Sequence, residues 1–297
     1  MNPPAAGPST STAVTAVIVS YNVAELLAAC IASLRADGVE RIVVVDNASS
    51  DGSARAVRQQ EPDVDLVALD RNVGFATGAN RGVARTSTPY VAVVNPDEVV
   101  EPGATEALVE ALERDAGLAL VGPRIETTDG RLYPSARTFP DLVVAAGHAF
   151  FYLFWPDNPF SRRYRMLDWD HAAACDVDWV AGTHFVIRRR AWDEVGGFDE
   201  GYFMYMEDVD LCWRLHRAGW RVGYEPAATV VHAIGRSTDQ TPYRMILTHH
   251  RSLLRYAHRT TTGPRRLLLP LMAVALAVRT VLAWAHRATR RRPHAAL

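Results

Sequence analysis

The sequence predicts an α/β protein: a Rossmann-like, mostly parallel sheet flanked by helices, followed by a C-terminal amphipathic helical tail. Three observations carry that expectation. Short β-branched apolar runs alternate with helix-patterned segments over the first hundred residues, the mark of right-handed βαβ crossovers. Polar residues gather just after those runs, at the strands' carboxyl ends, where an open parallel sheet binds its ligand. Finally, residues 240–297 hold eleven arginines and no acidic residue.

The elements follow in order. Residues 13–20 (AVTAVIVS) read as a strand buried on both faces. Residues 24–36 show helical spacing, with Leu26, Leu27, Cys30, Ile31 and Leu34 on one side. A second strand, 41–46 (RIVVVD), ends in NASSDGS; a helix runs to about residue 60, then a third strand spans 65–69. After the Gly/Ala-rich stretch 72–84, a fourth strand, 90–95 (YVAVVN), stops at Pro96-Asp97. A helix over 104–114 and a strand over 118–122 lead into a Pro- and aromatic-rich stretch, 131–170, read as a lid or acceptor-side excursion. One strand is expected over 176–188, a helix over 207–217 closed by Gly219, and a strand over 229–231 ending at His232.

Several classes fall away. Gly74, Gly78 and Gly82 recur every four residues, on one helix face, and do not match the G-x-G-x-x-G fingerprint of dinucleotide oxidoreductases. Three scattered cysteines argue against a disulfide framework or zinc site and fit a reducing cytoplasm. Residues 1–12 lack the basic and apolar regions of a signal peptide and read as a disordered lead-in. All the basic residues counted with lysine are arginines, and the formal net charge of -1 hides an acidic body before residue 240 and a basic tail after it. Such tails seek phosphates or anionic lipid. Within the tail, 267–285 is strongly apolar but interrupted by Pro270 and Arg279 and flanked by arginines. That pattern suits a helix lying in the membrane interface; the alternatives are packing on the body or on a second copy in a homo-oligomer, and a helix that spans the membrane. Nothing in the pattern calls for a nucleic-acid partner.

The residues that could carry chemistry sit at element ends. Tyr21, Asn22, Asp46, Asn47, Asn72, Asn95 and Asp97 converge at the strands' carboxyl ends. Asp46 could accept the imide N–H of uracil or thymine, or serve as a turn residue. Asp97, in Asn95-Pro96-Asp97, suits a hard divalent cation that bridges diphosphate oxygens, or again a turn. Glu207 and Asp208 open a helix, whose N-terminus favours the ionised form a general base needs. First-turn acids also stabilise helices, and Asp210 with Arg214 is an ordinary i,i+4 pair. His232 could give a nitrogen to a metal or a contact to a diphosphate.

Together VIVSYN (17–22), DNASSDGS (46–53), NVGFATGANRG (72–82), NPD (95–97), GGFDE (196–200) and EDVDLCWR (207–214) resemble glycosyltransferase family 2. YPSAR (133–137), FWPDNP (154–159) and YFMYMEDVDL (202–211) more narrowly resemble the actinobacterial rhamnosyltransferases acting on decaprenyl-diphosphate-N-acetylglucosamine. The resemblance implies a GT-A fold, the donor dTDP-L-rhamnose and a polyprenyl-diphosphate-linked acceptor, with transfer inverting the anomeric carbon. It implies a nucleotide-sugar site of Ser20, Tyr21, Asn22, Asp46, Asn47, Asn72, Gly74, Asn80 and Asn95, with Asp46 on the thymine. Asp97 and His232 would hold Mg²⁺ or Mn²⁺. Asp208 would be the general base and Glu207 its neighbour, beside an acceptor site of Gly196, Gly197, Phe198 and Trp179. On this reading 13–100 is the nucleotide-sugar half, 101–240 the acceptor-binding and catalytic half, and 241–297 a membrane-associated tail at the cytoplasmic face of the plasma membrane.

Two departures stand out. Asn95 occupies the first place of the usual D-x-D, leaving Asp97 as the assured carboxylate, and the Q-x-x-R-W motif of processive relatives is missing, which argues for single-sugar transfer. The rival readings are another dTDP- or UDP-sugar on the same fold and a non-catalytic, membrane-associated binding protein. A sugar nucleotidyltransferase needs a Gly-rich basic loop after the first strand, where this chain has VSYNVAE.

Overall fold

A computed structural model describes residues 13–139, 144, 147, 151, 155, 157–233 and 242–290. The expected lead-in, most of 140–156 within the predicted excursion, and the last arginines of the tail fall outside them. The first half follows the sequence closely. β1 (Val14–Ser20) is buried throughout because β2 (Arg41–Asp46) and β4 (Tyr90–Val94) pair with it in parallel on either side. β3 (Asp65–Ala68) extends the sheet beyond β2. The crossovers carry α1 (Ala24–Ala36), α2 (Ser53–Gln60) and α3 (Phe75–Val83).

Alternation along these strands divides the core into two layers. Val17, Val19, Val43, Val45, Val91 and Val93 pack with Phe75, Ala79 and Val83 of α3. Ile18, Val44, Ala92 and Val94 pack on the other side with Leu27, Ile31 and Leu34 of α1, joined by Leu108 and Leu112 of α4 (Ala104–Arg114).

The second half departs from the expected pattern. β5 (Glu98–Val100), β6 (Leu118–Thr127), β11 (His184–Arg188) and β12 (Arg221–His232) complete the main path in the order β3-β2-β1-β4-β11-β6-β12-β5. β11 runs antiparallel between β4 and β6, and β12 pairs in parallel with β6 but antiparallel with β5. The sheet is therefore mixed, with its parallel part on the side of β1. The single strand expected over 176–188 is three: β9 (Cys175–Val177), β10 (Trp179–Val180) and β11. The breaks fall at Asp178 and at Ala181-Gly182-Thr183, a polar residue and a small-residue turn that the expected strand ran through. β10 instead pairs with β8 (Ala136–Arg137), which follows the short β7 (Leu132–Tyr133). β5 and α6 (Arg189–Val195) were not anticipated, being short elements held by their neighbours.

The remaining described helices are α5 (Pro159–Tyr164), capped by the Asn158 side chain, then α7 (Glu207–Arg217), α8 (Pro242–Thr260) and α9 (Leu269–Arg290). α8 and α9 form an antiparallel pair across the turn Gly263–Leu268; His250 Nδ1 lies 2.6 Å from Thr280 Oγ1, and the Trp284 indole donates to the Tyr243 carbonyl at 3.1 Å.

Close approach of α3 to the sheet depends on Gly82. A Cβ there would stand 2.3 Å from Val17 Cγ1 and 3.0 Å from Val45 Cγ2, both inside the core. Gly82→Ala is therefore expected to destabilise the fold by about 2 kcal/mol, overpacking exceeding the gain of about 1 kcal/mol in helix propensity. Urea denaturation checks this; a variant as stable as the parent would mean that α3 can lift away freely.

Candidate active site

The strand ends build one side of the site. Ser20 closes β1 fully buried, and its Oγ has no hydrogen-bond partner. Asn22 follows with positive φ, and its Oδ1 accepts from the Ser50 amide at 2.7 Å, fastening the loop after β2 to the end of β1. Tyr21 is half-buried between them. Asp46 ends β2 nearly buried. Its Oδ2 accepts from the Ser49 amide at 3.0 Å, while Oδ1 is buried without a partner. A buried carboxylate oxygen left open costs free energy unless a donor meets it, so this position suits an incoming N–H.

Several of the expected ligand contacts also make hydrogen bonds within the scaffold. Asn47 Oδ1 accepts from the Val73 amide at 2.8 Å, and its Nδ2 donates to the Gly74 carbonyl at 3.1 Å. Asn72 Oδ1 accepts from the Gly74 amide at 2.9 Å. Gly74 sits at φ +87 before α3, where a Cβ would collide with the Phe203 carbonyl oxygen at 2.3 Å. It is thus not on the helix face with Gly78 and Gly82. Asn80 clamps the chain after α6: Oδ1 accepts from the Phe198 amide and Nδ2 donates to its carbonyl, both at 2.9 Å. Gly196 and Gly197 turn the chain out of α6, and Phe198 is buried against Phe75, Phe185 and Trp192, so this trio shapes the wall from behind. Trp179 is buried too, its indole donating to the Thr138 carbonyl at 2.9 Å.

Pairing of β5 with β12 sets His232 opposite Glu98 and brings its Nε2 to 3.1 Å from Asp97 Oδ1. Burial opposes protonation of His232, but the Asp97 hydrogen bond and the Glu98 and Asp97 charges outweigh it and raise its pKa. Two ligand atoms about 3 Å apart match neighbouring corners of an octahedron with bonds near 2.1 Å. Asp97 and His232 therefore fit two ligands of a divalent cation. No group of three His, Cys, Asp or Glu residues completes a set among the described residues, so the remaining places would fall to substrate oxygens and water. Asn95 contributes backbone: its amide donates to the Thr183 carbonyl at 2.8 Å and its carbonyl accepts from the Cys30 thiol at 3.4 Å.

Beneath Asp97 lies a pair missing from the sequence reading. Glu98 Oε2 stands 3.1 Å from His184 Nδ1, both fully buried. Burial drives Glu98 well above the usual carboxylate range and His184 down to about 4, so burial disfavours the charged form of each.

The other side of the site is the start of α7. Tyr205 and Met206 hold φ of 69 and 68, left-handed values that cost a non-glycine residue about 1–3 kcal/mol each. They aim the next two residues. Asp208 Oδ2 accepts from the Gly182 amide and Oδ1 from the Val209 amide, each at 2.8 Å. The expected ionisation by the helix N-terminus meets a stronger opposing effect. Burial raises Asp208, although the Gly182 and Val209 amides and the Arg137 charge pull it back. Burial and the Asp208 charge push Glu207 up to about 8. Of the two, Asp208 has the stabilising partners and ionises first.

Arg137 is the other residue that sequence reasoning left without a role. Its guanidinium lies over the rings of Tyr133, Tyr164 and Trp179, 5.0–5.6 Å from their centroids, and donates to the Tyr133 hydroxyl at 2.9 Å. The motif YPSAR was the available signal, but only the fold sets it beside Asp208. The turn 181–183 joins the two sides: Ala181 donates to the Ser135 carbonyl, Gly182 to Asp208, and the Thr183 carbonyl accepts from Asn95.

A mixed sheet whose parallel half ends in Asp46 and Asp97, facing an acidic helix start across a turn, defines a GT-A-like α/β fold. A family model for "Glycosyl transferase family 2" matches residues 15–195, and one for "Glycosyl transferase family group 2" matches 138–290. The chain belongs to glycosyltransferase family 2, and it is an enzyme of that kind. It is 38% identical over 231 residues to N-acetylglucosaminyl-diphospho-decaprenol L-rhamnosyltransferase of Mycobacterium tuberculosis, covering 74% of this chain and 75% of that protein. It is 35% identical over 234 residues to the pre-mycofactocin glycosyltransferase of the same organism, covering 77% of this chain but 44% of the relative. Among solved structures, the mannosyltransferase PcManGT from Pyrobaculum calidifontis, in complex with GDP-Man and Mn²⁺, superposes with a TM-score of 0.58 at 18% identity, covering 98% of this chain and 80% of that one. GalNAc-T7 with UDP, GalNAc and Mn²⁺ gives 0.55 at 17% identity over 74% of this chain and 42% of its own. These two structures speak to the fold alone.

The Glu207–Asp208 pair loses its protons in two steps, and the upper one belongs near pH 8. A glutamate raised from 4.5 to about 8 stabilises the fold fully below its unfolded value and ceases to as pH rises through 8. Glu207→Gln is expected to remove the fall in Tm that the parent shows between pH 5 and 9. An identical Tm profile in parent and variant would place that titration elsewhere.

Proposed function

We propose that this enzyme transfers L-rhamnose from dTDP-L-rhamnose to a polyprenyl-diphosphate-linked N-acetylglucosamine, with inversion, in synthesis of the cell-wall arabinogalactan linker. The observation that supports the reading is the turn 181–183, which bonds to Asp208 on one side and to Asn95, next to the Asp97–His232 pair, on the other; Asp46, with an unpaired buried oxygen, ends β2 in the same parallel half-sheet. The named activity of the Mycobacterium tuberculosis relative supports the choice of sugar and acceptor.

In this mechanism Asp46 Oδ1 accepts the thymine imide N–H. Asp97 and His232 would hold Mg²⁺ or Mn²⁺, which would supply positive charge against the departing diphosphate. Asp208, fixed by two backbone amides, takes the proton of the acceptor hydroxyl. That hydroxyl attacks the anomeric carbon from the face opposite the diphosphate, and one displacement inverts the configuration. Glu207, protonated up to about pH 8, adds no second charge beside the base at neutral pH.

The test is transfer from dTDP-L-rhamnose to a short-chain polyprenyl-diphosphate-N-acetylglucosamine, with and without EDTA. Product that disappears with EDTA is expected, and Asp208→Asn should lower turnover by about 10²–10⁴-fold while nucleotide binding persists. No rhamnosyl product, with sugar released from another nucleotide donor, would overturn the donor assignment.

The same reading puts the enzyme on the cytoplasmic face of the plasma membrane, held by its tail. Segment Gly263–Ala285 is long and apolar enough to cross a membrane. Leu267, Leu271, Val274, Val278 and Val281 are exposed in a stripe at helical spacing, while Arg279 turns toward α8 and bonds to His250. An apolar outer face over a polar seam suits a helix lying in the interface. Removing 265–297 is expected to move the protein from the membrane to the soluble fraction; unchanged partitioning would assign the stripe to packing.

A further inference from the structure

We infer that the cationic cleft between α8 and the loop before α7 is a binding site for the diphosphate of a lipid-linked substrate. The inference rests on the acceptor class proposed above and adds the residues that would grip it. The cleft measures about 440 Å³ and is lined by Phe203, Arg244, Thr248, Arg251, Ser252 and Arg255, among others. A second hollow of about 610 Å³ continues along the same helix past Arg255 to Arg259.

Residues 244, 248, 251, 255 and 259 recur every three or four positions, so they share one face of α8. Their charges are not equally committed. Arg255 and Arg259 pair with Asp199 at 2.9 and 2.6 Å, and Arg259 reaches Asp210 at 3.3 Å. The acidic groups of this region are thus already matched. Arg244 lies over the Phe203 ring at 5.1 Å, and neither Arg244 nor Arg251 has a carboxylate partner among the described residues. Two uncompensated guanidiniums about one cleft suit an anion of two or more charges, since each can present paired N–H donors to phosphate oxygens.

Position relates the cleft to the reaction. Ser252 Oγ donates to the Met204 carbonyl at 2.9 Å, and the Tyr205 ring meets the His249 ring at 5.3 Å. α8 is therefore fastened to the loop that runs directly into Glu207 and Asp208. On its other side α8 pairs with α9, whose exposed apolar stripe offers a surface for a polyprenyl chain entering from lipid. An acceptor anchored here by its diphosphate would have its sugar next along the loop toward Asp208.

The test is binding of farnesyl diphosphate to the full-length protein in detergent, with EDTA present so that no metal draws the diphosphate to Asp97. The expected result is saturable binding that weakens at least tenfold in Arg244→Gln/Arg251→Gln and is unchanged in Arg58→Gln, a charge removed from α2. Farnesol should bind at least tenfold more weakly than farnesyl diphosphate, and vesicles of phosphatidylglycerol should not displace it. Equal binding by parent and double variant would overturn the site, as would equal binding of farnesol. Displacement by phosphatidylglycerol would make it a general lipid-headgroup site and overturn the diphosphate assignment. The probe carries no sugar and needs no turnover, so a failed rhamnosyl assignment and a failed diphosphate site give different results.

Discussion

Three backbone hydrogen bonds at Ala181, Gly182 and Thr183 connect regions that the chain makes far apart. One runs to Ser135, ahead of Arg137; one to the carboxylate of Asp208; one from Asn95, two residues before Asp97. A Cβ at Gly182 would stand 3.0 Å from Asp208 Cβ, so the turn passes as close to the acid as backbone can. Antiparallel insertion of β11 between β4 and β6 puts the turn there. The turn adds to the bonds of Asn80 with Phe198 and of Phe75 with Phe203, which also tie the segment before α7 to the parallel half-sheet.

Burial governs the ionisation chemistry around that turn. Glu98, Glu207 and Asp208 are all raised, because removing a carboxylate from water disfavours its charge more than nearby amides restore it. The differences among them are informative. Glu98 contacts His184 under the Asp97 loop, where burial disfavours the charged form of both. Asp208 keeps two amide donors and the Arg137 field, whereas Glu207 Oε2 is buried without a partner. Strain in Tyr205 and Met206 is consistent with an acid pair held where relaxed backbone would not leave it.

The tail shows how a costly residue becomes tolerable. Arg279, within an apolar helix, bonds to His250 on the inner seam, where His250 also meets Thr280, and the apolar side chains face outward. α8 thereby serves two neighbours, giving α9 a polar seam and the active-site loop a row of arginines.

Much of this was legible from residue order. Strands β1, β2 and β4, helices α1, α4 and α7, and the convergence of Asp46 and Asp97 at strand ends follow from local periodicity and turn chemistry, which operate over a few residues. The motifs named the family from the same short stretches. Tertiary structure alone decided the rest. The antiparallel β11, the division of 175–188, and the β5–β12 pairing that joins Asp97 to His232 are nonlocal contacts, with no signature in spacing. The hydrogen bonds that tie Asn47 to Gly74 and Asn80 to Phe198, and the burial of Phe198, are also nonlocal and had no signal in residue type. The protonation of Glu207 was likewise set by the third dimension, since a helix start favours charge and only the depth of burial reverses it.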